Sequence, residues 1–327
     1  MANKKTSGSS KRSSKKTVRA LTPAVRYLRY ELTNSVTPGT ETSHFIDTAR
    51  DLGITNRRLY RQGRDYHIKK ISIVSSNTPN AGIPGAPNNR ISVATAPNSW
   101  VTKSAHKRAY KVWQMMNKEA SHNLSGDISG TWADFKVYLS NDMRTSEPLG
   151  LPLDNGGNAG ILSEWTYTQL VTPDGTTGAD GFFIHLLGDH VGTVGNWTSV
   201  GLVKSYGESR ATVNSANPNV PGTASDDPLV NVFDYGTTVD EVVNDLEGDN
   251  DYPPYSILEY TGDDANMPKP LIVHDTTIVD GRATMGSFTA MCGLLEFEIT
   301  SSVASDVYSV LVEMAPGPYR GVKSEGF

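Results

Sequence analysis

The stretch from His44 to Ser76, HFIDTARDLGITNRRLYRQGRDYHIKKISIVSS, decides how the chain is read. Its middle, Asn56 to Lys70, carries six Lys and Arg against one Asp. Its end turns into a β-branched run with Ile68, Ile71, Ile73 and Val74. β-Branched side chains are stiff at χ1 and pack well on a pleated surface, so residues 66–75 are predicted as a strand. The cation cluster joined to that strand is therefore tethered to a folded domain.

Working outward, the cluster belongs to a basic end. Residues 1–118 hold 22 Lys and Arg against 5 Asp and Glu, a net of +17. Residues 119–327 hold 8 against 30, a net of −22, so the modest total of −5 hides a two-faced molecule. Such sign asymmetry points to a polyanion partner for the basic part. Residues 1–30 contain Lys4, Lys5, Lys11, Arg12, Lys15, Lys16, Arg19, Arg26 and Arg29, and no acid. Up to Arg19 the remaining residues are almost all Ser, Thr, Gly and Asn. They bury too little apolar surface to offset their ordering entropy, so residues 1–30 are expected to be a disordered basic arm. Residues 31–327 are expected to form one folded domain. Lys11-Arg12 and Lys15-Lys16 read either as a nuclear address or simply as polybasic tail.

The single cysteine, Cys292, excludes an intrachain disulfide. No run of 18 apolar residues is present, so no membrane span is expected. The cationic N-terminus has no apolar core behind it and is not read as a secretory signal.

Most of the chain reads as short strands separated by turns. Residues 77–98, rich in Pro, Asn and Gly, are expected to be an irregular loop. One helix follows. Ala105, Ala109, Val112, Trp113, Met116 and Ala120 share one face, with Ser104 as the expected cap. Lys103, Lys107, Arg108, Lys111 and Lys118 lie mostly off that face and read as solvated. Residues 131–139, 161–171, 181–187, 197–206, 255–260, 271–279, 284–299 and 306–314 are predicted strands. About eight strands with one inserted helix make an all-β sandwich, either immunoglobulin-like or a jelly roll, and the long loops favour a single jelly roll. Residues 211–268 carry 12 acids and no Lys or Arg, as expected of a surface excursion held away from a polyanion.

Catalytic signatures are weak. No phosphate-binding glycine loop, nucleophile elbow or zinc-type cysteine pairing occurs. His185, Asp189 and His190 read as a metal set or as a histidine at a strand end. Asp245, Glu247, Asp249 and Asp251 alternate as in a calcium loop, but Asn250 and Ser256 stand where such a loop needs Gly and an acid. They read as a solvated loop or as a loose divalent site. No metal, cofactor or catalytic residue is assigned.

The nucleic-acid signal rests on charge. A flexible Lys/Arg arm neutralises phosphates and releases counterions with little regard to base sequence. Arg57, Arg58, Tyr60, Arg61 and Arg64 add a second cluster with an aromatic inside it. Tyr60 either stacks a base while the arginines grip phosphate or sits in the core of a strand edge. The arm cations, these arginines and Tyr60 are the predicted nucleic-acid-binding residues.

With the Lys/Arg/Ser arm and residues 44–76, in which a basic N-R-R-L-Y-R-Q-G-R stretch leads into the first strand, the chain resembles the capsid proteins of small circular Rep-encoding single-stranded DNA viruses. The arm here is Lys/Ser-rich, where many such arms are dominated by Arg. The resemblance implies a jelly roll, an icosahedral shell of identical subunits, non-sequence-specific packaging of single-stranded DNA, and location in the virion. It implies no membrane, and no residue pattern points to a host receptor. Two readings compete with it. One is a β-sandwich binding module, lectin-like or a minor spike, with a nucleic-acid-binding tail. The other is a β-sandwich glycosidase.

Overall fold

The computed structural model describes residues 22–75, 89–122, 132–145, 150–161, 165–172, 180–193, 196–211, 271–278 and 281–327. Along the chain run β1 (Tyr27–Thr33), β2 (Glu41–Asp47), α1 (Thr48–Asn56), β3 (Arg64–Ser75), β4 (Arg90–Thr95), α2 (Trp100–His122) and α3 (Asn141–Thr145). Then come β5 (Gln169–Thr172), β6 (Asp180–His185), β7 (Val191–Thr193), β8 (Asn196–Gly201) and α4 (Leu202–Ala211). After residue 270 follow β9 (Leu271–Thr277), β10 (Arg282–Met285), β11 (Phe288–Met291), β12 (Leu294–Thr300), β13 (Val307–Met314), β14 (Pro316–Gly317), β15 (Gly321–Val322) and β16 (Ser324–Gly326). The fold is all-β, with helices at its margins.

Two antiparallel sheets share one core. The first has the order β1-β13-β3-β10, with β11 and β16 also on β3; the second has the order β2-β12-β4-β9. The pairing is nested. β1 pairs with β13, β2 with β12, β3 with β10 and β11, and β4 with β9. Alternation explains the register. In β1 Leu28, Tyr30 and Leu32 are buried while Tyr27, Arg29 and Glu31 face out. Tyr308, Val310, Val312 and Met314 do the same in β13. β3 breaks parity, because both Ile68 and Ile71 point inward. A register shift between Glu313 and Met314 places Lys69 as an extra residue on β3 and restores the inward side. Ile46, Ile91, Val93, Leu295, Phe297 and Ile299 complete the core from the second sheet. Leaving water stabilises each such side chain by roughly 1.5–3 kcal/mol.

A second cluster lies between β4 and β9 in the sequence. Val101, Ala105 and Ala109 of α2 pack with Phe135, Val137, Leu139, Ile184, Leu186, Leu202 and Val203, and against Phe45, Cys292 and Leu294 of the two-sheet body. β5, β6, β8 and β7 form a small sheet beside it.

Several sequence expectations change. β1 begins within the stretch assigned to the arm, where Leu28 and Tyr30 already pair with β13. The folded domain thus already includes residues 27–30. β4 lies within the expected loop, whose residues 77–88 fall outside the described ones. α2 starts at Trp100, and the cap is Ser99 rather than Ser104. The Ser99 hydroxyl accepts from Thr102 N at 3.1 Å. Residues 132–139 bury Phe135, Val137 and Leu139 as expected but form only an isolated bridge, Tyr138 to His185. In 161–171 regular strand begins only at Gln169. The predicted strand 197–206 splits into β8 and α4, and 284–299 into β10, β11 and β12. α1 was not anticipated. Ala211 ends α4, and the acidic residues 212–268, the predicted strand 255–260 and Asp245–Asp251 lie outside the described residues.

Candidate nucleic-acid interface

The site is built where the N-terminal segment meets the domain. Lys4, Lys5, Lys11, Arg12, Lys15, Lys16 and Arg19 lie outside the described residues. From Thr22 the chain runs over the C-terminal end of α1. Asp47 starts that helix by accepting from Ala49 N and Arg50 N at 3.0 and 3.1 Å. Arg57 ends it in a left-handed conformation, φ 53°. Arg58 N then closes the cap on Gly53 O at 3.3 Å. The Asn56 side chain, at the last turn, holds the Val25 backbone, and Arg58 Nη1 donates to Pro23 O at 3.1 Å. On the other side stands the β14–β15 hairpin. A Cβ on Gly321 would lie 2.5 Å from both Thr22 O and Ala24 Cβ. Its φ of +98° also favours glycine. The segment is thus pressed between α1 and this hairpin.

The predicted arginines divide into two sets. Arg57 and Arg58 are exposed, and neither has a carboxylate within ion-pair distance among the described residues. Arg61 and Arg64 are engaged. Arg61 Nη1 pairs with Asp134 at 3.1 Å and donates to Ala133 O at 2.9 Å. Arg64 donates to Ser324 Oγ and O, each at 3.0 Å, and its guanidinium lies 4.0 Å over the Tyr319 ring. Arg26 is half-buried at the start of β1. Arg29, exposed on β1, pairs with Glu31 at 2.8 Å.

Tyr60 is a correction. Its ring is fully buried, edge-on to Tyr319, and its hydroxyl donates to Arg320 O at 2.9 Å. A base cannot reach either face. Burial raises its phenol above the ordinary value, and the charges of Arg58 and Arg320 pull it back. Arg320, exposed and left-handed at φ 52°, was missed by sequence reading, since it lies 260 residues beyond Tyr60. No local pattern marks it.

Arg57, Arg58 and Arg320, none with a carboxylate within ion-pair distance among the described residues, thus stand around residues 22–25. Exposed guanidiniums present forked donors that match phosphate oxygens. Contacts of that kind to phosphate position a strand and carry no base identity.

The histidine alternative gains no support. His185 Nδ1 lies 2.7 Å from Ser199 Oγ and its Nε2 2.9 Å from Asp189 O. Burial pushes its pKa down to about 4. Asp189 pairs with Lys204, and His190 with Glu208 at 3.1 Å. No group of three or more metal-ligating side chains occurs among the described residues. No helix among them is long and apolar enough to cross a membrane.

No family model matches the chain, and no curated protein or solved structure matches it.

Proposed function

We propose that the chain is a capsid subunit, folded as a single jelly roll, that assembles into an icosahedral shell and packages single-stranded DNA through non-specific phosphate contacts. The observation that carries this reading is the nested pairing, first strand with last and inward to β4 with β9, in a domain with a basic arm at its root. Nested antiparallel pairs divided between two sheets are what a double ribbon rolled into a sandwich produces. The arm enters beside uncompensated arginines, so arm and surface can follow one phosphate backbone. The acidic residues 212–268 then belong on the outer side, where water and counterions screen them. Lys11-Arg12 and Lys15-Lys16 would serve as a nuclear address before assembly.

The test is nuclease protection. Purified particles should hold nucleic acid that added nuclease does not digest, and deleting residues 2–19 should leave particles that hold less. Equal protected nucleic acid in both would remove the arm from the packaging role.

A further inference from the structure

We propose that Arg320, on the C-terminal hairpin, joins Arg58 and Arg57 in a clamp for the phosphodiester backbone of single-stranded nucleic acid at the root of the arm. The inference rests on the packaging reading and adds a site to it.

Three observations converge on this place. First, Arg320 and Arg58 lie far apart in the sequence yet meet at one place: the Tyr60 hydroxyl donates to the Arg320 carbonyl, and Arg58 Nη1 donates to Pro23 O in the same short segment whose Thr22 and Ala24 press on Gly321. Second, the backbones are held rather than free. Arg57 occupies the left-handed cap of α1, and Arg320 occupies a left-handed position next to Gly321. Left-handed backbone is unfavourable for a side chain as large as arginine, and such positions persist only where the surroundings enforce them. Third, none of the three has a carboxylate partner among the described residues, whereas nearby Arg61 is paired with Asp134. Like charges gathered without counter-charge repel one another, and a bound phosphate relieves that repulsion. A strand leaving the arm at Pro23 meets Arg58 directly, because Arg58 Nη1 already touches the Pro23 carbonyl.

The probe is a short oligothymidylate, titrated at several salt concentrations against the full-length protein and against protein lacking residues 2–19. Each lost contact to a single strand lowers the slope of log affinity against log salt by about 0.7. Arg320→Gln should lower the slope by that amount in both proteins, and Arg320→Lys should restore most of it. An unchanged slope for Arg320→Gln, in protein that still binds, overturns the clamp and leaves the packaging reading standing. A slope lowered for a heparin fragment but not for the oligothymidylate also overturns it, and assigns the arginines to a sulfated glycan. Wild-type protein that shows no salt-dependent binding overturns the packaging reading, and the clamp with it. Circular dichroism on each variant separates lost contact from lost fold.

Discussion

Asn56 holds the backbone of Val25 from both sides: its Oδ1 accepts from Val25 N at 2.7 Å and its Nδ2 donates to Val25 O at 3.0 Å. One amide thereby ties the root of the arm to the last turn of α1. Replacing Asn56 with Ala removes both bonds at a partly exposed site, so the expected loss is about 1–2 kcal/mol. The sharper expectation is local. Limited proteolysis should cut Asn56→Ala near Thr22 faster than wild type while β1 stays protected. Equal cutting rates would show that the Arg58–Pro23 bond and the Gly321 contact hold the root without Asn56.

The two sets of arginines should separate by experiment. Arg64→Gln breaks two bonds to Ser324 and a stacking contact with Tyr319, so it should lower stability by about 1–3 kcal/mol. Its salt slope for DNA binding should not change. Arg57→Gln and Arg58→Gln should do the reverse, lowering the slope with little effect on the urea midpoint. A lowered slope for Arg64→Gln would mean that it leaves Tyr319 to reach phosphate.

Arg50 and Asp51 form an ion pair at 2.8 Å with both side chains wholly buried. Tyr30 donates to Asp51 at 2.7 Å, and Arg50 also reaches the Gly150 carbonyl. Asp47 lies in the same pocket, so two carboxylates face one guanidinium. Burial, against the pull of Arg50, pushes Asp51 up to about 6. Removing the partner of a buried charge typically costs 3–5 kcal/mol, so Asp51→Ala should lose about that much. The sign with pH follows from the raised value. Between the ordinary 3.8 and 6 the folded state binds a proton that the unfolded chain lacks, so this group favours folding at the acid side and loses that contribution as pH rises through 6. Asp51→Asn should therefore fall in stability more steeply than wild type on acidification across that window. Parallel pH curves would contradict the assignment.

His106 acts in the opposite sense. Its ring is packed between Phe135 and Phe327, centroids 5.2 and 4.8 Å away, and its Nε2 is buried with no hydrogen-bond partner among the described residues. Burial pushes it down to about 4 from 6.5. The unfolded chain then takes the proton first, so stability present above 6.5 is lost as pH falls toward 4, on the order of 3 kcal/mol. His106→Phe should flatten the acid limb measured by urea unfolding between those values and cost little at neutral pH. An unaltered acid limb would place the titration elsewhere, with His185 the next group to change.

Part of this was legible in the residues. β13 carries a strict apolar side, β3 a β-branched run and α2 its apolar spacing, so local pattern sufficed. β1 has the same alternation, but nine cations without an acid in residues 1–30 outweighed Leu28, Tyr30 and Leu32 in the reading. β2 has few apolar residues and is buried only from Phe45 to Asp47. α4 begins inside a run, Val200 to Tyr206, that has no clear period. Tyr60 sits among cations in sequence and inside the core in space, because Tyr319 and Arg320 close over it. Arg320 was beyond reach, since its place depends on the hairpin folding back across the whole chain. The charge asymmetry pointed to a polyanion from the start, but only the fold shows which of the described arginines lack a carboxylate partner.

Electron microscopy of the purified full-length protein, in negative stain at physiological salt, tests the central claim most directly. The account predicts closed, uniform shells, with dense interiors that lose density when residues 2–19 are deleted. A field of dispersed single subunits at every salt and protein concentration tried would contradict it.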